Sequence, residues 1–200
     1  SNAAEAGGFI RSRGGLDRPD IQYTFMVGMK DNPRTLPRRH GYFLHMAVLR
    51  PATRGTLALA SADPMDKPVM RPEFLEDRRD VVALMHALRQ ARRIAAAPSL
   101  KKLSGAELLP GPAVEDDAAL EAFVRERVAT TYHPVGTCKM GADAMAVVDN
   151  ELKVHGIQGL RVADASIMPT LTSGNTNAPC IMIGEKCADM VLAAATTQDR

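Results

Sequence analysis

The chain has 200 residues, which is enough for one large domain with a hydrophobic core. Its 46% hydrophobic and 24% charged residues are typical of a soluble globular protein, and a net charge of +2 with interspersed signs argues against a nucleic-acid or anionic-membrane partner. No apolar run approaches the roughly 20 residues of a transmembrane segment. Cys138, Cys180 and Cys187 are spaced too widely to favour a disulfide framework or a metal site.

We therefore expect a cytoplasmic protein without a bound metal. For the full-length protein, peripheral attachment to the inner membrane is an open alternative. Residues 1–3 (Ser-Asn-Ala) look like the remnant of an expression tag and are excluded from fold prediction.

The first part of the chain is predicted to form strands. Residues 9–12 are expected to form a short strand, and residues 21–27 alternate apolar and polar side chains, which is typical of a half-buried strand. Residues 30–39 contain two prolines and are predicted to be a loop. A second long strand is expected over 41–50 and a return strand over 57–60. The short turn between these two strands predicts that they pair antiparallel.

From residue 77 onward, apolar residues recur every three or four positions, which predicts an amphipathic helix over 77–97 that ends near Pro98. A second helix is predicted over 115–129, acidic at its start and basic towards its end. A final helix is predicted from about Asn177 to about residue 195. Its candidate buried residues are Ile181, Met182, Met190, Val191 and Leu192. Strands followed by helices indicate an α+β fold, a largely antiparallel sheet flanked by helices.

Three motifs lie in the last third of the chain. They read TYHPVGTCKMG over 131–141, LRVADAS over 160–166 and SGNTNAP over 173–179. An imidazole, with an ordinary pKa of about 6.5, can act as a base that takes up a proton near neutral pH. From residue type alone, His133 is as consistent with a core histidine braced by the turn at Pro134 as with such a base.

Together with segments 50–55 and 61–64, these motifs resemble the glucose–methanol–choline (GMC) family of flavin-dependent oxidoreductases, and in particular its bacterial choline and alcohol dehydrogenases. The resemblance implies FAD as cofactor and oxidation of a small primary alcohol to an aldehyde by hydride transfer to the flavin, with His133 as the base. It also implies that 4–130 form a substrate-binding α+β domain. Residues 131–200 would supply active-site loops, flavin-facing segments and a C-terminal helix packed on the same domain.

The resemblance assigns roles to further residues. Asn177 matches a family position filled by asparagine or histidine, and is expected to donate a hydrogen bond to the alcohol oxygen; its alternative role is to cap the last helix. Asn175 is expected to stabilise the turn at 173–174. Asp164 is expected to contact the flavin, with a turn or capping role as its alternative. The complete set of expected flavin contacts is Pro134, Val135, Asp164, Ala165, Ala178 and Pro179.

The glycine-rich G-x-G-x-x-G motif, with which the family binds the FAD pyrophosphate, does not occur in these 200 residues. We therefore expect FAD to be held mainly by an N-terminal domain outside this chain, and the chain alone to be inactive. Two alternatives stay open, a non-catalytic binding or assembly domain and a flavin-site lyase of the same family. The sequence does not predict which alcohol is oxidised, whether oxygen or a quinone-type acceptor takes the electrons, or the oligomeric state.

Overall fold

A computed structural model describes residues 4–28 and 40–198 of the chain. These residues form two compact units, the first from 4–54 and 73–129 and the second from 55–72 and 130–198. Segment 55–72 belongs to the second of these units. The loop predicted over 30–39 lies outside the described residues.

The first unit contains a three-stranded antiparallel sheet with its strands in chain order. Its strands are β1 (Ala4–Ile10), β2 (Ile21–Val27) and β3 (Tyr42–Val48). The predictions for β2 and β3 are confirmed, and Ile21 and Tyr23 are buried as the alternating pattern of β2 requires. β1 begins five residues earlier than predicted and includes the first pair of glycines.

Two helices complete the core of the first unit. α1 (Arg78–Ala95) begins after Asp77, whose carboxylate accepts a hydrogen bond from the backbone of Arg79 at 2.9 Å and caps the helix. The short α2 (Pro98–Lys101) and α3 (Asp117–Arg127) follow. α1 and α3 confirm the helices predicted over 77–97 and 115–129 to within a few residues. α1 packs on the sheet through Ala83 and Ala87, and a second cluster contains Val81, Met85, Leu88, Leu120 and Val124.

The predicted pairing of the return strand with the strand over 41–50 is wrong. β4 (Thr56–Ala58) pairs instead with β5 (Val69–Arg71), in a separate two-stranded antiparallel sheet of the second unit. The reason lies in the loop that follows β3. The buried carboxylate of Asp80 on α1 accepts hydrogen bonds from the backbone N–H groups of Ala52 and Thr53 at 2.8 and 2.9 Å. This loop is therefore fixed to the start of α1 and does not form a hairpin turn.

The second unit is built mainly from loops around one helix. A single turn of 3-10 helix covers Ala165–Ile167, and α4 covers Asn177–Gln198. Loop segments bond to each other through the backbone. For example, the N–H groups of Cys138 and Met140 donate to the carbonyls of Ser166 and Ile167 at 3.0 and 2.7 Å. The buried residues of this unit's core are Val148, Leu152, Ile167, Met168 and Ile183.

The prediction of which side of α4 is buried is largely wrong. Ile181, Met182, Val191 and Leu192 are exposed, and of the predicted set Met190 packs against the core. The side that faces the core contains Cys180, Ile183, Cys187 and Met190, a spacing of three or four residues that forms one stripe on a helix. Apolar residues occur on both sides of α4, so the sequence pattern did not distinguish the buried side.

The α+β prediction is confirmed, since antiparallel sheets and separate helices occur in both units. Among the helices of the described residues, none combines the length and apolar character needed to span a membrane.

Candidate active site

His133 lies in a loop of the second unit that bends sharply on both sides of it. Tyr132 has a positive φ of 64°, and its N–H donates to the hydroxyl of Thr130 at 2.9 Å. Gly136 has a φ of 91°, and a Cβ at this position would lie 3.2 Å from the carbonyl oxygen of Met168. Both the backbone conformation and the close approach favour glycine there. The two bends fix the half-buried imidazole in one place.

Both ring nitrogens of His133 have a partner in the segment just before α4. Nδ1 lies 3.0 Å from the hydroxyl oxygen of Thr176, and Nε2 lies 2.8 Å from the carboxamide nitrogen of Asn175. Thr176 is buried, whereas Asn175 is exposed. Two consecutive residues therefore hold the ring from its two nitrogens, one on the buried side and one on the solvent side.

The carboxamide that contacts His133 belongs to Asn175 and not to Asn177. α4 begins at Asn177, which is exposed and forms no side-chain hydrogen bond within the described part of the chain. Thr176 immediately precedes the helix, and its carbonyl accepts from the N–H of Cys180 at 2.9 Å, so it occupies the capping position that was the alternative for Asn177. The expectation that Asn175 mainly serves the 173–174 turn overlooked this contact.

A signal for this arrangement was present in the sequence. Threonine is a good helix cap, and a cap at Thr176 places Asn177 inside the first turn while Asn175 stays in the loop. Asn177 was expected beside His133 because it matches a family position, and its alternative role as the cap came from Asn-Ala-Pro, which also resembles a helix start.

The residues expected to contact the flavin lie in three places. Asp164 caps the 3-10 helix, because its carboxylate accepts from the N–H of Ser166 at 2.7 Å; one of its two oxygens is thus used structurally. Ala165 and Val135 are half-buried and pack against the core of the second unit. Pro134 is exposed beside His133.

The start of α4 provides the remaining candidates. The first N–H groups of a helix have no acceptor within it, and the helix dipole adds partial positive charge at this end. Ala178 is exposed here and brings such an N–H, while Pro179 brings none. Since Thr176 joins this helix end to His133, the partial positive charge of the helix start lies beside the imidazole.

The sequence and the fold of this chain were compared with those of known proteins. The C-terminal sequence model of the family described as GMC oxidoreductase matches residues 51–184. The chain is 46% identical over 193 residues to a protein named alcohol dehydrogenase [acceptor] from Pseudomonas putida, and 46% identical over 192 residues to an oxygen-dependent choline dehydrogenase from Klebsiella pneumoniae. Each match covers 96% of this chain and 35% of the relative, so the chain spans about a third of the relatives' length.

A solved structure supports the same assignment. Pyridoxine 4-oxidase from Mesorbium loti superposes with a TM-score of 0.83 at 30% sequence identity, over 94% of this chain and 37% of that protein. The motifs around His133 and at the start of α4 both lie within the matched region. The chain therefore belongs to the GMC oxidoreductase family.

Proposed function

We propose that this chain provides the proton-accepting side of an FAD-dependent dehydrogenase that oxidises a small primary alcohol, of the choline type, to an aldehyde. The observation that carries the proposal is the pairing of a fixed imidazole with a carboxamide nitrogen 2.8 Å from its Nε2. The names of two relatives, an alcohol dehydrogenase and a choline dehydrogenase, support the substrate class.

His133 acts as the base. Nε2 faces the exposed Asn175, so a substrate hydroxyl can approach this nitrogen from the solvent side. As the hydroxyl proton passes to Nε2, the alcohol oxygen gains negative charge and the carbinol carbon becomes a better hydride donor. Thr176 and the bends at Tyr132 and Gly136 hold the ring in place, so little reorganisation is needed when the substrate binds.

Asn175 orients the alcohol. Its carboxamide nitrogen can donate to the substrate oxygen, and an amide does not compete with the imidazole for the proton at neutral pH. In this proposal, Asn175 takes the role that the sequence motif suggested for Asn177. The substrate oxygen would lie within reach of both side chains, which fixes the position of the reacting O–H bond.

FAD, when bound, supplies the acceptor for the hydride that leaves the carbinol carbon. In this chain the proposed contacts to it are the first turn of α4 at Ala178 and Pro179, the segment Pro134-Val135, and Asp164-Ala165. The start of α4 would favour negative charge on the cofactor, because its partial positive charge lies next to the imidazole. The larger part of the FAD site is proposed to lie outside this chain.

The test is alcohol-dependent flavin reduction in flavin-loaded protein that contains this chain. We expect His133→Ala to lower the rate about 10²- to 10⁴-fold, the range for loss of a general base. His40→Ala is the control, since His40 is exposed and has no hydrogen bond within the described residues. If the His133→Ala protein reduces flavin at the wild-type rate, the base assignment is wrong. A panel of alcohols with an artificial electron acceptor distinguishes oxidation from the lyase and binding-domain alternatives.

A second measurement decides between the two asparagines. We expect Asn175→Ala to slow flavin reduction about 10²-fold, because the alcohol oxygen loses the donor that positions it. Asn177→Ala should have a clearly smaller effect, since its side chain is exposed and, within the described residues, it is Asn175 that bonds to Nε2 of His133. The reverse order of effects would return the role to Asn177.

A further inference from the structure

We propose that Thr176 is a positioning residue that fixes the tautomer of His133, so that the proton of the neutral ring lies on Nδ1 and the lone pair on Nε2. The inference deepens the proposed function and rests on it for its catalytic meaning. The tautomer itself is a property of this chain and can be measured without any turnover.

The two contacts of the ring agree on one tautomer. Asn175 presents its carboxamide nitrogen, which can only donate, so Nε2 must be the acceptor of that bond. A neutral imidazole carries one proton, which must then be on Nδ1. The hydroxyl oxygen of Thr176 lies 3.0 Å from Nδ1 and accepts this proton's hydrogen bond. The nitrogen that must receive the substrate proton is thereby left unprotonated.

The local sequence explains why the hydroxyl of Thr176 is available to the ring. A threonine that caps a helix usually accepts from the N–H of the second or third helical residue. Here the third helical residue is Pro179, which has no N–H, and within the described residues the N–H of Ala178, the second, does not bond to this hydroxyl. Within the described residues, the hydroxyl of Thr176 has His133 as its hydrogen-bond partner and none in the helix.

Burial makes this contact selective. Thr176 is 7% exposed, so water does not readily replace its hydroxyl at Nδ1. Asn175, in contrast, is exposed, and a substrate oxygen can displace its contact with Nε2. The buried partner therefore holds the proton on Nδ1 while the exposed partner is exchanged for substrate.

The test is nitrogen NMR of the histidine ring in this chain, recorded as the pH is raised until the ring nitrogen signals stop changing and the ring is neutral. Wild type should show a protonated Nδ1 and an unprotonated Nε2 at His133. In Thr176→Val the ratio of the two tautomers should shift about fivefold or more towards protonated Nε2, the size that one net hydrogen bond supports. Thr176→Ser keeps the hydroxyl and should restore the wild-type signature. The control is Thr172→Val, which changes an exposed threonine of the same segment.

The proposal is overturned if wild type shows protonated Nε2, or if a folded Thr176→Val chain keeps the wild-type tautomer. Should Thr176→Val fail to fold, the wild-type and Thr176→Ser spectra still decide, because both must show protonated Nδ1. In flavin-loaded protein, Thr176→Val should lower kcat with little change in KM, and Thr176→Ser should recover it. A tautomer shift without loss of flavin reduction would support the role of Thr176 and contradict the role of His133 as base.

Discussion

In the first unit, α1 lies across a three-stranded sheet and contacts α3, and most of its buried side chains come from these regular elements. In the second unit, α4 contributes one buried stripe, and the rest of the core comes from loops and a single 3-10 turn. Both have a hydrophobic core, but they differ in what fixes the backbone. The first relies on helix and strand hydrogen bonds, and the second on hydrogen bonds between loops.

The difference matters because the proposed catalytic residues lie in the second unit. His133 and Asn175 are both loop residues, and neither helix nor strand geometry sets their positions. Their loops are tied down by backbone contacts such as that between Met140 and Ile167, and by the close packing at Gly136. Loops positioned by a rigid scaffold commonly hold functional residues, since a loop can place side chains in directions that a regular element does not allow.

The largest effect is expected in the core of the first unit. Leu120 on α3 is fully buried and packs between regular elements that have little freedom to collapse into a cavity. Leu120→Ala should lower the free energy of unfolding by about 2 to 5 kcal/mol, measured by urea denaturation. Leu103→Ala is the control, because Leu103 is 81% exposed and should change the free energy by less than about 0.5 kcal/mol.

The same measurement in the second unit sharpens the comparison. Ile183→Ala should lower the free energy of unfolding by about 2 kcal/mol, which is less than the loss expected for Leu120→Ala. The reason is that half-buried neighbours of Ile183 can move into the space left behind. Ile181 is exposed on the opposite side of the same helix, so Ile181→Ala should change the free energy of unfolding very little. Equal costs for Leu120→Ala and Ile183→Ala would mean that the loop-built core is packed as rigidly as the first.

A smaller effect is expected where the loops depend on backbone conformation. Gly136→Ala should lower the free energy of unfolding by about 1 to 2 kcal/mol, because alanine is disfavoured at a φ of 91°. The Cβ would also press on the carbonyl of Met168. Gly184→Ala should have the opposite sign and stabilise by up to about 1 kcal/mol, since Gly184 lies inside α4 with free space around it. A Gly136→Ala protein as stable as wild type would show that this bend is not constrained.

A further effect, which depends on pH, distinguishes the two units. Burial raises the pKa of Tyr23 to about 12, above its ordinary value of 10.0. The folded state therefore holds the phenol proton more tightly than the unfolded chain. The contribution of Tyr23 to stability is complete below pH 10, and it is lost as the pH rises towards 12. Urea denaturation at increasing pH should show this decline.

Tyr23→Phe should remove the part of the alkaline loss of stability that comes from this phenol. At neutral pH it should cost about 1 kcal/mol, because the hydroxyl donates to the carbonyl of Ala87 at 2.7 Å in a buried position. Tyr132→Phe in the second unit is the matched control, since Tyr132 is 83% exposed, and it should leave the alkaline decline unchanged. The same alkaline decline in Tyr23→Phe and wild type would exclude Tyr23 as its source.

Sequence patterns predicted the first unit better than the second, for a physical reason. β2 and α1 each expose one face and bury the other, so their periodicity is visible in the sequence. The predicted pairing of the return strand with β3 was wrong, because the loop after β3 is held at Ala52 by Asp80, 28 residues away. Local patterns carry no information about such a contact.

The site shows the same limit. The motif around His133 identified the family, which the comparisons show, and the start of α4 was predicted to within a residue. Within the described residues, Asn175 bonds to the His133 ring and Asn177 does not, because α4 is capped one residue earlier than Asn177. Periodicity does not resolve helix ends at that precision. Thr176 and Asn177 are both good cap residues by type, and the coordinates place Thr176 at the position before the helix.

The chain has no tryptophan and three tyrosines, of which Tyr23 and Tyr42 lie in the first unit and Tyr132 stands next to His133. The exposed ring of Tyr132 is therefore an intrinsic fluorophore at the proposed site. A molecule that docks against the imidazole should quench it or change its polarity. Replacing Tyr132 with phenylalanine would remove that signal and leave the emission of the other two rings as an internal reference.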